Sequence, residues 1–233
     1  MSIDIQFNNV LGSTLGIYMK EKPSLPAAQE QVEEVKVPGR DGNLLIRNGV
    51  YESTQIPIEF NYIGPKDKWG ERWRNAKQWL SAMEAELKFT DDPDVFYKIS
   101  HVMVSENTKR GNRIGNFSAS FITKDGLSYL ESGRELCGIT EPLVNPGIVS
   151  KPLYKLNGEG LCTLIVNDKT IKANVSGGLS IDTEKMICYR SDGTSQNTAM
   201  SGDYEDLFLQ EGNNVITVTD GFECKVVPRW RCL

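Results

Sequence analysis

Apolar and polar residues alternate along most of this chain, and a period of two is typical of β-strands. In the clearest example, residues 54–63, four apolar residues alternate with polar or small ones: Ile56, Ile58, Phe60 and Tyr62. This pattern predicts a strand with one buried face and one solvent-facing face. Pro57 has no amide proton to donate, so we expect this strand to lie at a sheet edge or to carry a bulge.

Two further alternating stretches flank a polar segment. The first contains Val95, Tyr97, Ile99, His101 and Met103, and the second contains Phe117, Ala119 and Phe121. The segment between them, residues 105–116, is polar and includes two glycines. The pattern predicts a long hairpin over residues 95–122 with its tip at 105–116. Because His101 falls on the apolar side of its strand, we interpret it as a core or interface histidine.

One segment departs from the period of two. Within residues 66–87, apolar side chains recur at steps of four and three: Trp69, Trp73, Ala76, Leu80, Met83 and Leu87. This stripe predicts one long α-helix, and the preceding Gly64-Pro65 supplies a suitable start. The stripe is expected to bury Trp69 and Trp73 in the core. Trp79 falls beside the stripe, which makes it the better candidate for a contact with another subunit.

The composition changes near residues 138–147, which contain two prolines and two glycines. We therefore predict a first domain over residues 1–140, a linker at 141–147 and a second domain over 148–233. The second domain contains seven short strand-like stretches, which predict a β-sandwich. The stretches are residues 154–156, 161–166, 170–175, 179–181, 186–189, 215–219 and 222–227. The predicted fold class is mainly β with one long α-helix.

The composition excludes several classes of protein. The chain has 233 residues, of which 39 % are hydrophobic and 24 % charged, as expected for a folded domain rather than a disordered or membrane-embedded one. We find no apolar run of 18 residues and no signal-peptide pattern at the N-terminus, so we expect a soluble chain without an export signal. The net charge is −5, which argues against a nucleic-acid binder. The five cysteines are widely spaced and are predicted to be reduced.

The sequence gives no positive indication of a catalytic or metal site. His101 is the one histidine, no Cys-x-x-Cys pair exists, and no glycine-rich phosphate loop is present. We therefore predict no enzymatic activity, no metal and no cofactor. The cluster Asp91, Asp92 and Asp94 could bind a hard cation or serve glycoside cleavage, but we favour a polar turn initiated by Asp92-Pro93.

A basic run, residues 109–113, lies in the predicted hairpin tip. It contains Lys109, Arg110 and Arg113 and could contact nucleic acid. However, no aromatic residue is interleaved to stack on bases, which favours a solvated tip.

Four segments taken together resemble the distal tail (Dit) family of long-tailed phages. The first is Val37-Pro-Gly-Arg-Asp-Gly-Asn43 followed by Gln55-Ile-Pro-Ile-Glu-Phe60, and the second is the Trp-rich helix directly after that strand. The third is Met200-Ser-Gly-Asp-Tyr-Glu-Asp-Leu207 followed by Glu211-Gly-Asn-Asn-Val-Ile216, and the fourth is Pro228-Arg-Trp-Arg231. Their order and spacing span nearly the whole chain.

This resemblance implies a structural virion protein. It implies a homo-oligomeric ring, usually hexameric, that acts as the baseplate hub at the distal end of a non-contractile tail of a phage or prophage. The N-terminal domain would form the ring, and a galectin-like or carbohydrate-binding-module-like second domain would face outward. The implied partners are a tail tube protein, a tail-associated tip protein, and receptor-binding or baseplate proteins, with assembly in the host cytoplasm. We assign the subunit interface to Trp79, Lys109, Arg110 and Arg113.

A carbohydrate-binding module or host-surface adhesin is the alternative function. Sugar-binding galectins use a cluster of His, Asn, Arg and a stacking Trp. Here His101 lies outside the second domain, and Trp230 is the only tryptophan inside it. A galectin-type site is therefore missing its parts, and the fold can persist without the activity. Tyr154, Tyr189 and Tyr204 remain candidates for platforms that stack on sugar rings.

Overall fold

The computed structural model describes residues 3–65, 68–110 and 113–233, without the side chain of Arg110. Within these ranges the protein is mainly β and has one α-helix, α1 (Trp69–Leu80). The strands of the first half are β1 (Ile5–Phe7), β2 (Val10–Leu11), β3 (Ile17–Met19), β4 (Glu30–Lys36), β5 (Asn43–Tyr51), β6 (Gln55–Ile63), β7 (Ala85–Phe89), β8 (Asp92–Val104), β9 (Thr108–Arg110) and β10 (Ile114–Leu130). Those of the second half are β11 (Cys137–Gly138), β12 (Leu143–Asn145), β13 (Leu153–Val166), β14 (Lys169–Asp182), β15 (Ile187–Arg190), β16 (Met200–Ser201), β17 (Gly212–Asn214), β18 (Ile216–Val218), β19 (Glu223–Val227) and β20 (Arg231–Cys232). None of the described helices is long and apolar enough to cross a membrane.

The chain divides into two compact units between Ser128 and Tyr129. The sequence placed the boundary at 141–147, but that segment belongs to the second unit. Its strand β12 pairs with β17, and the buried amide of Asn145 donates hydrogen bonds to the carbonyls of Ile148 and Leu209. Gly147 in this segment is tightly packed, because a Cβ there would meet the backbone carbonyl of Arg231, and a pattern of turn-forming residues does not distinguish such a segment from a linker.

The core of the first unit rests on one large sheet, in which β2, β1, β7, β8, β10, β6 and β3 follow each other. Strand β6 buries the four predicted residues, and the alternating residues are exposed except for the half-buried Asn61, so that prediction is confirmed. Pro57 lies opposite Ser120 of β10, whereas β3 pairs only with residues 60–62 of β6. Pro57 is therefore in a stretch of β6 with a partner on one side, as a residue without an amide proton requires.

The helix is shorter than predicted. The predicted first residues, 66 and 67, lie outside the described part of the chain, and α1 ends at Leu80. Glu84 then adopts a left-handed conformation, with φ of 49°, and residues 85–89 form β7. Leu87 is buried from this strand, while Met83 is 73 % exposed. The prediction extended the helix too far because Leu87 lies seven residues after Leu80, a spacing that fits two turns of a helix. In the structure Leu87 is buried as part of a strand instead.

The predicted hairpin is formed by β8 and β10, which are neighbours in the sheet. However, the predicted inward face of β8 is wrong for His101 and Met103, because both side chains are exposed. The buried side chains of this strand are Phe96 and Ile99, which are three residues apart, and the pairing of β7 with β8 shifts beside Phe89. Beyond Ile99, the half-buried Val102 and Val104 pack against the core in place of His101 and Met103, so the inward face of the strand changes there and His101 is not a core histidine.

The second unit is built on a hairpin of two 14-residue strands, β13 and β14. The first half of β13 pairs with β19 and its second half with β18, and β14 likewise pairs with β16 and then β15. Asn157-Gly158 and Gly177-Gly178 are residue pairs that are common in turns, yet they lie inside these strands and pair with each other. Gly177 has a φ of 75°, a left-handed conformation that glycine adopts readily. It lies between the part of β14 that pairs with β16 and the part that pairs with β15.

The seven predicted strand-like stretches overlap β13, β14, β15, β18 and β19 and supply most of the second core. The C-terminal segment also belongs to this unit. Trp230 is 7 % exposed within the core, and Arg229 forms a two-pronged ion pair with Asp182, with nitrogen–oxygen distances of 2.7 and 2.9 Å. All five cysteines are free thiols, in agreement with the predicted reduced state.

Candidate functional site

Strands β4 and β5 form a two-stranded sheet that lies outside the large sheet of the first unit. We call residues 30–51 the exposed ribbon. Its turn is the Val37–Asn43 segment on which part of the family resemblance depends, and Gly39 and Gly42 both have a φ of 79° there. The amide of Arg40 donates to the carbonyl of Val37 at 3.3 Å and closes the turn. The glycines thus let the chain reverse direction and start β5.

The exposed ribbon carries several apolar side chains that remain partly or largely exposed. Val35 and Leu44 pair directly across the two strands, and Ile46 follows on the same face. Leu44 is 38 % and Ile46 39 % exposed, and Leu45 on the other face is 59 % exposed. An isolated two-stranded hairpin is marginally stable in water, and contiguous exposed apolar residues mark interaction surfaces. The ribbon is therefore a surface suited to a partner.

The ribbon also offers unpaired strand edges. Within the described residues, β4 pairs only with β5, so the outer edge of each strand retains free amide and carbonyl groups. Local polar contacts hold the ribbon in register: the Asn43 amide donates to Glu34 at 2.8 Å, and Arg47 lies 3.8 Å from Glu30. Such an edge can bind a strand of another chain through main-chain hydrogen bonds.

Trp79, the predicted interface residue, lies in the core of the first unit. Its side chain is 8 % exposed, and its indole nitrogen donates a hydrogen bond of 3.0 Å to the carbonyl of Phe7. Its ring meets those of Phe7 and Phe60 edge to face. The predicted apolar stripe left out Trp79, but the buried residues of α1 are Ala76, Trp79 and Leu80, while Trp69 and Trp73 are partly buried against the same core.

Two of the basic hairpin-tip residues, Lys109 and Arg113, lie at the surface. Lys109 is exposed on β9, and its ammonium lies 5.3 Å from the centre of the Trp69 ring. Arg113 is exposed in the turn before β10, and its carbonyl accepts a hydrogen bond from the amide of Gly64. The side chain of Arg110 lies outside the described part. The structure thus brings Lys109 to the start of α1, where a cation over an indole ring is stabilising.

The candidate residues for chemistry, His101 and the three aspartates Asp91, Asp92 and Asp94, lie at the surface. His101 is exposed, and its ring nitrogen Nδ1 lies 3.3 Å from the hydroxyl of Ser100. Asp91 pairs with Lys22 at 2.5 Å, and Asp92 and Asp94 are exposed at the start of β8. Among the described residues no group of three or more His, Cys, Asp or Glu side chains could hold a metal ion.

Of the three tyrosines considered as sugar platforms, two are engaged inside the second unit. Tyr154 is fully buried, and its hydroxyl donates to the carbonyl of Leu207 at 2.8 Å. Burial, with a smaller effect of Cys224, raises the pKa of Tyr154 well above its ordinary value. The hydroxyl of Tyr204 lies 3.3 Å from the thiol of Cys188, and burial again raises the pKa of the tyrosine. Tyr189 alone lines an open groove.

That groove lies on the solvent-facing side of the second unit's sheet and has a volume of about 510 Å³. Pairing across four strands aligns Lys225, Lys155, Ser180 and Tyr189 in one row. A second row on the same face contains Glu223, Asn157 and Gly178. Sequence reasoning included Tyr189 but missed both lysines, because only strand register reveals that residues 155 and 225 are neighbours.

Comparison with known proteins gives a match by structure alone. No family model matches the chain, and no curated protein matches it by sequence. The structure is similar to the crystal structure of the Dit protein (gp 19.1) of phage SPP1, described as a paradigm of the hub adsorption apparatus in phages that infect Gram-positive bacteria. The TM-score is 0.78 and the match covers 100 % of both chains, at 13 % sequence identity. The resemblance suggested by the four sequence segments is thus confirmed at the level of the fold.

Proposed function

We propose that this chain is a structural subunit of a phage or prophage tail, and that several copies form the hub at the distal end of the tail. The observation that carries the proposal is the likeness to the SPP1 Dit protein, which extends over both units and the full length of each chain. In this role the protein links the tail tube to a tail-associated tip protein and to receptor-binding or baseplate proteins. It performs no catalysis, and its location is the tail tip of the virion after assembly in the host cytoplasm.

The exposed ribbon supports this role, because a closed ring needs a surface on each copy that fits a different surface on the next. The ribbon presents apolar side chains and unpaired strand edges at one place. The buried core of its unit is formed by residues outside the ribbon. Docking it on a neighbouring copy would bury Leu44 and Ile46 and pair a free edge. The expected assembly is a cyclic homo-oligomer, with six copies as the working expectation.

Substitution on the ribbon tests this proposal. We expect the double variant Leu44→Asp/Ile46→Asp to stay folded but to shift the protein from oligomer to monomer, because it places two charges on the docking face. A matched control is Leu161→Asp/Val215→Asp, which changes two apolar residues of the second unit that are 62 % and 52 % exposed. Mass in solution and particle images by electron microscopy give the readout.

The control is expected to keep the oligomer. A wild-type chain that stays monomeric at every concentration and shows no ring in the images would contradict the proposal. A ring that persists in the ribbon double variant would retain the hub role and reject the ribbon as its interface.

A further inference from the structure

The groove of the second unit has the lining of a ligand site and lies in a different unit from the exposed ribbon. Its volume of about 510 Å³ is in the range of small-molecule sites. The side chains of its two rows point away from the core, which contains Leu156, Leu179 and Cys224 from the alternate positions of the same strands. The lining is therefore free to contact a ligand without disturbing the fold.

The charge in the groove is unbalanced. Lys155 and Lys225 lie directly opposite each other on β13 and β19, an arrangement of like charges that destabilises a sheet. Lys225 pairs with Glu223 at 2.8 Å, and this contact together with Asn157 holds the pKa of Glu223 below its ordinary value. Lys155 has no carboxylate partner in the part of the chain that the structure describes. The groove lining therefore has one more positive than negative side chain, although the net charge of the whole chain is −5.

The remaining polar groups match a ligand rich in hydroxyls. Asn157, Ser180 and Ser191 can each donate and accept hydrogen bonds, and Glu223 can accept them. Sugar hydroxyls also donate and accept. A bare inorganic anion only accepts hydrogen bonds, so it would leave the acceptor groups of the groove unused, and Glu223 would repel it. An acidic peptide would gain most from a strand edge, but these groups lie on a sheet face. The half-buried Tyr189 adds an aromatic ring at the end of the row.

We propose that this groove binds a saccharide that carries an acidic group. The acidic group pairs with Lys155, the ring hydroxyls contact Asn157 and Ser180, and Tyr189 packs against an apolar sugar face. The site gives the second unit a recognition function of its own, independent of the ribbon in the first unit. The acidic group is a carboxylate or a phosphate, and the experiment below distinguishes these two sources.

Binding to matched pairs of oligosaccharides tests the proposal on the full chain. One pair is hyaluronan tetrasaccharide, which contains carboxylates, and neutral chitotetraose. The other is phosphomannopentaose and mannopentaose. We expect one acidic member to bind, with amide chemical shift changes confined to residues of the groove, and its neutral counterpart to bind about tenfold more weakly. Lys155→Gln should cause a similar loss, while Lys172→Gln, on the same sheet outside the groove, should not.

Each other outcome overturns the proposal. Failure of both acidic saccharides to bind, or equal binding of the acidic and neutral members of each pair, rejects the acidic-saccharide assignment. Equal or tighter binding of tetraglutamate identifies a peptide site instead. Unchanged affinity in Lys155→Gln shows that the ligand binds elsewhere. Because the oligomer mass of the Lys155 variant is measured in parallel, these results are separate from the ribbon test.

Discussion

The ion pair between Asp182 and Arg229 shows how single residues hold the C-terminal segment in place. Asp182 is 2 % exposed and accepts two hydrogen bonds from Arg229 as well as the amides of Glu184 and Lys185. Burial alone would raise the pKa of Asp182, but the hydrogen bonds and charge of Arg229 with these two amides outweigh it and lower the pKa. Arg229 itself adopts a left-handed backbone, with φ of 55°, and its amide donates a hydrogen bond of 2.7 Å to the carbonyl of Gly133.

Asp182→Asn should therefore destabilise the second unit in a pH-dependent way. We expect a loss of about 3 kcal/mol at pH 7, because Arg229 loses a buried partner. A lowered folded-state pKa means that the stabilisation is fully present above the unfolded value, about 3.9, and is lost as the pH falls through the folded value. Urea unfolding at pH 7, 4 and 2.5 should show the difference between wild type and variant shrink with acidity. A constant difference would show that the charge of Asp182 is not the cause.

Gly147 provides a second test at the scale of one residue. It lies in the segment predicted as a linker, where a glycine replaced by alanine is usually neutral or slightly stabilising. In the structure a Cβ at this position would collide with the backbone carbonyl of Arg231 and lie 2.8 Å from the sulfur of Cys232. We expect Gly147→Ala to lower the free energy of unfolding of the second unit by about 2 kcal/mol.

The matched control is Gly138→Ala, because nothing lies within 4 Å of a Cβ there. Urea unfolding should leave the control unchanged. Equal stability of both variants would support a loosely packed linker at residues 141–147.

At the scale of elements, the sequence predicted most strands but not where the helix ends. The β6 strand was predictable because one buried face and one exposed face leave a clean alternation. The end of α1 was not, since the step from Leu80 to Leu87 fits a continuing helix, and only packing of β7 beside β1 and β8 determines its strand conformation. The exposed ribbon was not predicted from the sequence. Its apolar residues lie on both faces, so its sequence lacks the alternation that one buried face produces.

The role of α1 gives a prediction at this scale. Trp79→Ala should destabilise the first unit by about 3 to 5 kcal/mol, because it opens a cavity between Phe7 and Phe60. Trp79→Phe should cost less, since it keeps an aromatic ring and loses mainly the hydrogen bond to the carbonyl of Phe7. Thermal and urea unfolding measure both effects. Unchanged stability combined with loss of the oligomer would show instead that Trp79 contacts another subunit.

At the scale of the whole molecule, the order of motifs carried more information than any single motif. Each of the four segments is short, yet together they indicated the fold that the structure shares with the SPP1 Dit protein along its full length. The candidate sites were less accessible to sequence reasoning. The ribbon surface and the groove depend on pairing between residues far apart in the chain, such as Lys155 with Lys225, which no local pattern records.

The distribution of tryptophans has a practical consequence for the molecule. Trp69, Trp73 and Trp79 lie in the first unit, and Trp230 alone lies in the second, packed in its core. Replacing the first three with phenylalanine would leave one indole whose fluorescence emission reports selectively on the C-terminal unit. A red shift of that emission during denaturation would then record when this unit opens, while circular dichroism follows the remainder of the chain.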